Sequence, residues 1–134
     1  MSLIKVNPDK LNKAKHPAID AERLRRIETG QAFAVPGMES LIPLTGRPFD
    51  QSVYLALLMR AQAAAAAGIE APVLTIRSGD DVVHSLTPEQ MIVLISTAMN
   101  WFESIMAVSW AMKDGAAPFE DGIPEDFEDD KYWP

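Results

Sequence analysis

Apolar and polar positions alternate along this chain in two rhythms, one helical and one of strands, and together they lay out its elements. The plainest helical stretch is Thr87–Asp114. Between Met91 and Met112 the only charged residue is Glu103. Glu89, Ser96, Asn100, Glu103, Ala107 and Asp114 recur at steps of three, four or seven, which predicts one narrow polar or small stripe on an otherwise apolar helix. Its start is written locally. Thr87 suits the N-cap, Pro88 the first helical position, and Gln90 completes a capping box. Gly115 is its stop, and at 1.5 Å per residue the helix is roughly 40 Å long.

A second helix is predicted from Gln51 to Ala67, capped by Asp50 and stopped by Gly68. Thr45-Gly46-Arg47-Pro48 reads as a turn, with the helix starting after it. The helix carries Val53, Tyr54, Leu55, Leu57, Leu58 and Met59, then the run Ala63–Ala67. Alanine permits close approach, so this face is expected to cover one side of the long helix. Between the two helices, Pro72–Arg77 and Val82–Leu86 have strand composition and flank the turn Ser78-Gly79-Asp80-Asp81. That spacing predicts a β-hairpin, which must pack on the helices to be stable. Upstream, Phe33, Val35, Leu41, Ile42 and Leu44 around Pro36-Gly37 predict one or two short strands. Asp20 reads as the cap of a short helix, Ala21–Glu28, with Leu24 and Ile27 on one face and Gly30 as its stop.

The expected fold is therefore α+β. Two main helices flank a β-hairpin in the order helix, hairpin, long helix, with a short N-terminal helix, one or two short extra strands and extended termini. The expected organisation is an N-terminal arm (1–18), a single α+β domain (19–115) and an acidic C-terminal tail (116–134).

Composition supports a folded chain. Of 134 residues, 48% are hydrophobic and 23% charged, which is globular rather than disordered usage. There is no cysteine, which excludes disulfides, thiolate catalysis and cysteine-ligated metal centres. The start of the chain lacks the apolar run and cleavage site of a signal peptide. The net charge of −7 is unevenly placed. The tail holds seven acids against Lys131, whereas Lys5, Lys10, Lys13 and Lys15 face only Asp9 in the first 15 residues. A basic arm and an acidic tail suit head-to-tail pairing between subunits. The acidic balance argues against nucleic acid as a partner.

The long helix nearly meets the length of a membrane span. Its stripe, centred on Glu103, and the lack of a Lys/Arg cluster beyond either end argue for a soluble helix buried over most of its circumference. So wide an apolar surface predicts homo-oligomerisation or docking into a larger assembly. The candidate contact residues are Trp101, Phe102 and Trp110 on the helix, and Phe119, Phe127, Tyr132 and Trp133 among the tail acids, since aromatics are enriched in interfaces.

No catalytic constellation emerges. His84 lies near Asp80 and Asp81, but the spacing matches no metal-ligand signature, and turn aspartates ordinarily serve the turn. There is no phosphate-binding loop, nucleophile elbow or dinucleotide fingerprint. The expectation is a non-enzyme without catalytic, metal or cofactor site.

One combination of residues is more specific. Thr45-Gly46-Arg47-Pro48 with Asp50-Gln51 comes first, followed by Arg77, Asp80–His84, Leu86–Met91 and Ser109–Asp114. On these features, Phe33 to Asp114 resembles a phage and prophage domain of unknown function found in tail-fibre and other tail-associated proteins. The resemblance implies a virion or tail-assembly role, with other tail proteins as partners and no established enzymatic activity. The expected function is a structural component of a tail, baseplate or fibre-attachment region, made in the host cytoplasm and assembling through its apolar helix and terminal arms. The alternative is a tail-fibre assembly chaperone that leaves the finished particle.

Overall fold

The computed structural model describes residues 8–134, with side chains from Asn12 onward. Three helices and two small antiparallel hairpins follow one another as α1 (Pro8–Thr29), β1 (Gln31–Phe33), β2 (Ile42–Leu44), α2 (Pro48–Ala66), β3 (Leu74–Arg77), β4 (Val83–Leu86) and α3 (Pro88–Asp114), before a 3₁₀ turn at Asp130–Tyr132. The expected α+β order of helix, hairpin and long helix is what the chain forms. Two compact units result. One is built from residues up to Arg26 together with Glu103–Pro134, the other from Ile27–Phe102.

α3 starts as its sequence dictates. The Gln90 side-chain oxygen accepts from the Thr87 amide at 3.0 Å, and the Thr87 hydroxyl accepts from the Gln90 amide at 3.1 Å. Pro88 occupies the first helical position, where its missing N–H costs nothing. The Gln90 amide nitrogen also donates to the Pro36 carbonyl at 2.9 Å, so the cap pins the loop after β1. Thr87→Ala is expected to cost about 1 kcal/mol, read as a shift in the urea midpoint at unchanged slope. Gly115 ends the helix in the left-handed region, at φ +66. Met91, Leu94, Ile95, Ala98, Phe102, Ile105, Ser109 and Met112 are buried at steps of one, three and four, and the polar stripe from Glu89 to Asp114 lies on the exposed side. By length and composition this helix is apolar enough to cross a membrane. Its apolar row contributes to the cores of both units.

Two helix starts differ from the sequence reading. α1 begins at Pro8 rather than at Ala21, and Pro17 lies inside it. The part of the expected arm from Pro8 onward is thus helical, and Met1–Asn7 lie outside the described residues. A proline interior removes one ladder bond, so propensity argues against this helix. Tertiary contacts supply what propensity lacks. Ile19 is fully buried, Asp20 pairs with Lys113, and the Arg23 guanidinium donates to Ser109 Oγ at 3.2 Å. Leu24, expected on the inner face, is about half exposed, and Glu22 is buried.

α2 begins at Pro48, which takes the first helical position, with Arg47 as N-cap. Asp50 is therefore the third helical residue rather than the cap. Its carboxylate accepts from the Arg47 amide at 3.3 Å, from Arg47 Nε at 2.9 Å and from the Thr45 hydroxyl at 2.6 Å. The turn Thr45-Gly46-Arg47-Pro48 is thus a helix-starting device.

In the Ile27–Phe102 unit, β1 pairs with β2 in the register Gln31↔Leu44, Ala32↔Pro43, Phe33↔Ile42. β3 pairs with β4 from Leu74↔Leu86 to Arg77↔Val83. A backbone bond links the hairpins, from the Gly79 amide to the Pro43 carbonyl at 2.7 Å. The Gly46 amide closes on the Ile27 carbonyl at 2.8 Å, satisfying an acceptor in the last turn of α1. The core holds Phe33, Ile42, Leu44, Leu57, Ile76, Leu86, Leu94 and Phe102. Trp101 lies edge-on to Phe33 at 6.1 Å and to Phe102 at 5.5 Å.

In the other unit the acidic tail folds back on helical residues of its own chain. Phe119, Ile123, Phe127 and Trp133 are buried. Arg26 anchors them. Its guanidinium lies 5.1 Å from the Trp133 ring and donates to the Glu128 carbonyl and to Asp130, both at 2.8 Å. It also pairs with buried Glu22 at 2.8 Å. The Trp133 indole donates to the Phe127 carbonyl at 2.8 Å.

The hydrogen bonds from Arg25, joined by Arg26 and opposed by burial, hold the Glu22 carboxyl below its usual value of 4.5. Lys113 likewise lowers Asp20 from its usual 3.8. A depressed folded value means the stabilisation is complete above the ordinary value and disappears as pH falls through the folded one. The melting temperature is therefore expected to fall as pH drops below about 4.5. Glu22→Gln is expected to lower it at neutral pH and to flatten the acid decline, as followed by circular dichroism.

Candidate functional site

α2 turns two chemically similar faces in opposite directions. Tyr54, Leu57 and Ala61, spaced by three and four, are buried in the Ile27–Phe102 unit. The Tyr54 hydroxyl donates to the Thr45 carbonyl at 2.6 Å. Burial, together with the nearby Asp50 carboxylate, pushes the Tyr54 phenol up to about 12, so it stays a protonated donor.

The opposite face is exposed and almost as apolar. Phe49 is 78% exposed, Met59 64%, Leu55 50% and Val53 38%, and Ala56, Ala63 and Ala66 are exposed beside them. From Gln51 to Gly68 the only charge is Arg60. The alanine run expected to cover α3 is mostly solvent-facing, because Tyr54, Leu57 and Ala61 supply the inner contacts instead.

Phe49 and Val53 also form one wall of an open groove of about 520 Å³ between α2 and β3. Leu57 and Ile76 line it as well. Arg47, bonded to Asp50, and Arg77, bonded to the Asp81 carbonyl at 2.9 Å, flank it as intrachain pairs. Guanidinium groups already matched to carboxylates leave little net field for an anion. The arrangement suits an apolar, protein-like occupant better than a phosphate.

The residues singled out in the sequence divide by location. Phe102, Phe119, Phe127 and Trp133 are buried within their own units, Trp101 and Tyr132 are half-buried, and Trp110 is 52% exposed. The Tyr132 hydroxyl donates to Asp126 at 2.7 Å, and its ring lies 6.0 Å from Phe119. These aromatics mostly build intrachain cores, and α2 carries four of the exposed large apolar side chains, Phe49, Val53, Leu55 and Met59. The trace of that face in the sequence is the near absence of charge over a helix too long to be buried all round. The hairpin aspartates serve their turn. Asp80 accepts from the Ser78 hydroxyl, the Asp81 amide donates to the Ser78 carbonyl at 2.9 Å, and His84 Nε2 lies 3.3 Å from Ser78 Oγ.

Fold and surface together define a small α+β protein with an outward apolar helix. Its sequence matches the domain of unknown function DUF4376 over residues 10–131, and the chain belongs to that family. No curated protein and no solved structure matches it.

Proposed function

We propose that this protein is a non-enzymatic structural component of a bacteriophage tail, baseplate or fibre-attachment region. In this reading it is made in the host cytoplasm, carried in the virion, and packed against other tail chains through α2. The observation that supports this most is the exposed apolar face of α2, where Arg60 is the only charge from Gln51 to Gly68. Monomeric proteins rarely leave such patches open, and those that occur are usually contact sites. The tail-associated resemblance of residues 33–114 points the same way. The partners proposed are proteins rather than nucleic acid or membrane, in keeping with a net charge of −7.

The groove beside Phe49 favours a second reading, in which a client segment is held there during tail-fibre assembly and then released. Mass spectrometry of purified particles separates the two. Recovery in fixed ratio to known tail proteins is the expected result. Presence in the infected-cell lysate with absence from the particle overturns the structural role in favour of the chaperone.

A further inference from the structure

We propose that the outward face of α2 binds a second copy of this chain, the two helices pairing antiparallel about a two-fold axis at Ala56. The proposal rests on the assembly reading above and names its partner.

Self-pairing follows from how size and charge are distributed along the face. With Ala56 at the axis, Phe49 of one copy meets Ala63 of the other, while Val53 falls beside Arg60 and Ser52 beside Met59. The largest exposed side chain thus lies over a small one at both ends, and alanine sits where the helices approach most closely. Parallel pairing would set Phe49 on Phe49 and Arg60 on Arg60. The antiparallel register separates the two Arg60 residues by eight positions. That is about 12 Å of helix rise, beyond the screening length of about 8–10 Å in physiological salt. A two-fold contact uses the same patch twice, so one self-complementary face suffices.

The area fits an exchanging dimer. Phe49, Val53, Leu55 and Met59 offer on the order of 400 Å² at their observed exposures, since large side chains carry roughly 150–250 Å² each. The alanines, Ser52 and the Arg60 stem raise the face to roughly 600 Å² per copy. Two faces then bury about 1,200 Å², the lower end of specific interfaces and above most incidental contacts.

The chain has no cysteine, so one introduced thiol reports one position. Under mild oxidation, Ala56→Cys is expected to form a disulfide-linked dimer, because residues on the axis meet their own copies. Ala66→Cys, about 30 Å from its mate in this register, is expected to stay uncrosslinked. Light scattering of the unmodified chain is expected to approach twice 14.7 kDa with rising concentration. Ala56→Glu is expected to halve that mass with an unchanged circular dichroism spectrum, since Ala56 is exposed.

A monomeric mass for the unmodified chain up to hundreds of micromolar overturns the proposal. So does equal cross-linking at Ala66, a dimer that survives Ala56→Glu, or cross-linking of Ala56→Cys in particles only to a different protein. The two readings fail separately. A cross-linked dimer absent from virions removes the structural role and leaves the pairing, whereas a virion protein that stays monomeric does the reverse.

Discussion

Gly30→Ala is expected to lower the unfolding free energy by about 3–5 kcal/mol, a large share of the 5–15 kcal/mol typical of a domain. Gly30 ends α1 at φ +75, a conformation that costs an L-residue roughly 1–2 kcal/mol by itself. The larger cost is space. A Cβ there would lie 1.8 Å from the Leu44 carbonyl oxygen and 2.8 Å from Thr45 Cα. Both are backbone atoms, so no rotamer change relieves the clash, and the β1–β2 pair must open at Gln31↔Leu44. Gly68 is the internal control. It has nearly the same φ, +76, but a methyl group there would meet nothing within 4 Å, so Gly68→Ala is expected to lose only about 1 kcal/mol. Urea titrations of the two variants decide the matter. Equal losses would show that φ alone sets the cost and that the close approach of β2 contributes nothing.

Trp133→Ala carries the second large effect, about 3–5 kcal/mol for removing a buried indole. The ring is 7% exposed, lies beneath the Arg26 guanidinium, and donates to the Phe127 carbonyl. Its removal leaves that carbonyl without the indole and removes the stacking partner of a guanidinium that also holds Glu128 and Asp130. Amides from Ala116 to Trp133 are expected to lose hydrogen-exchange protection, and chymotrypsin to cut at Phe119 and Phe127, which the native chain buries. Trp133→Phe keeps most of the apolar contact and is expected to lose only about 1 kcal/mol with the indole bond. Unchanged protection in Trp133→Ala would mean the tail is held by its other aromatics alone.

Features whose partners lie within a few residues were readable in the chain. The Thr87-Pro88-Gln90 cap, the Ser78–Asp81 turn, the Gly68 and Gly115 stops and the polar stripe of α3 all depend on contacts three or four positions away, and each formed as expected. The Thr45–Pro48 segment shows the boundary. Its residues stood out, yet their roles depend on where the helix begins. Once Pro48 takes the first helical position, Asp50 becomes an acceptor for Arg47 and Thr45 instead of a cap.

What the amino-acid order determined, then, was the type and sequence of elements, because capping, turn chemistry and periodicity act locally. Three things were decided only by the tertiary structure. The packing of α1 brings Arg23 to Ser109 and Asp20 to Lys113, more than eighty positions away. The seating of Trp133 and of the backbone at Glu128 involves Arg26, about a hundred positions upstream. The direction in which α2 presents its apolar residues depends on which row the core accepts. α2 is apolar on both sides, so its sequence carries two equivalent inner faces. Packing chose Tyr54, Leu57 and Ala61, and left Phe49, Ala56 and Met59 exposed.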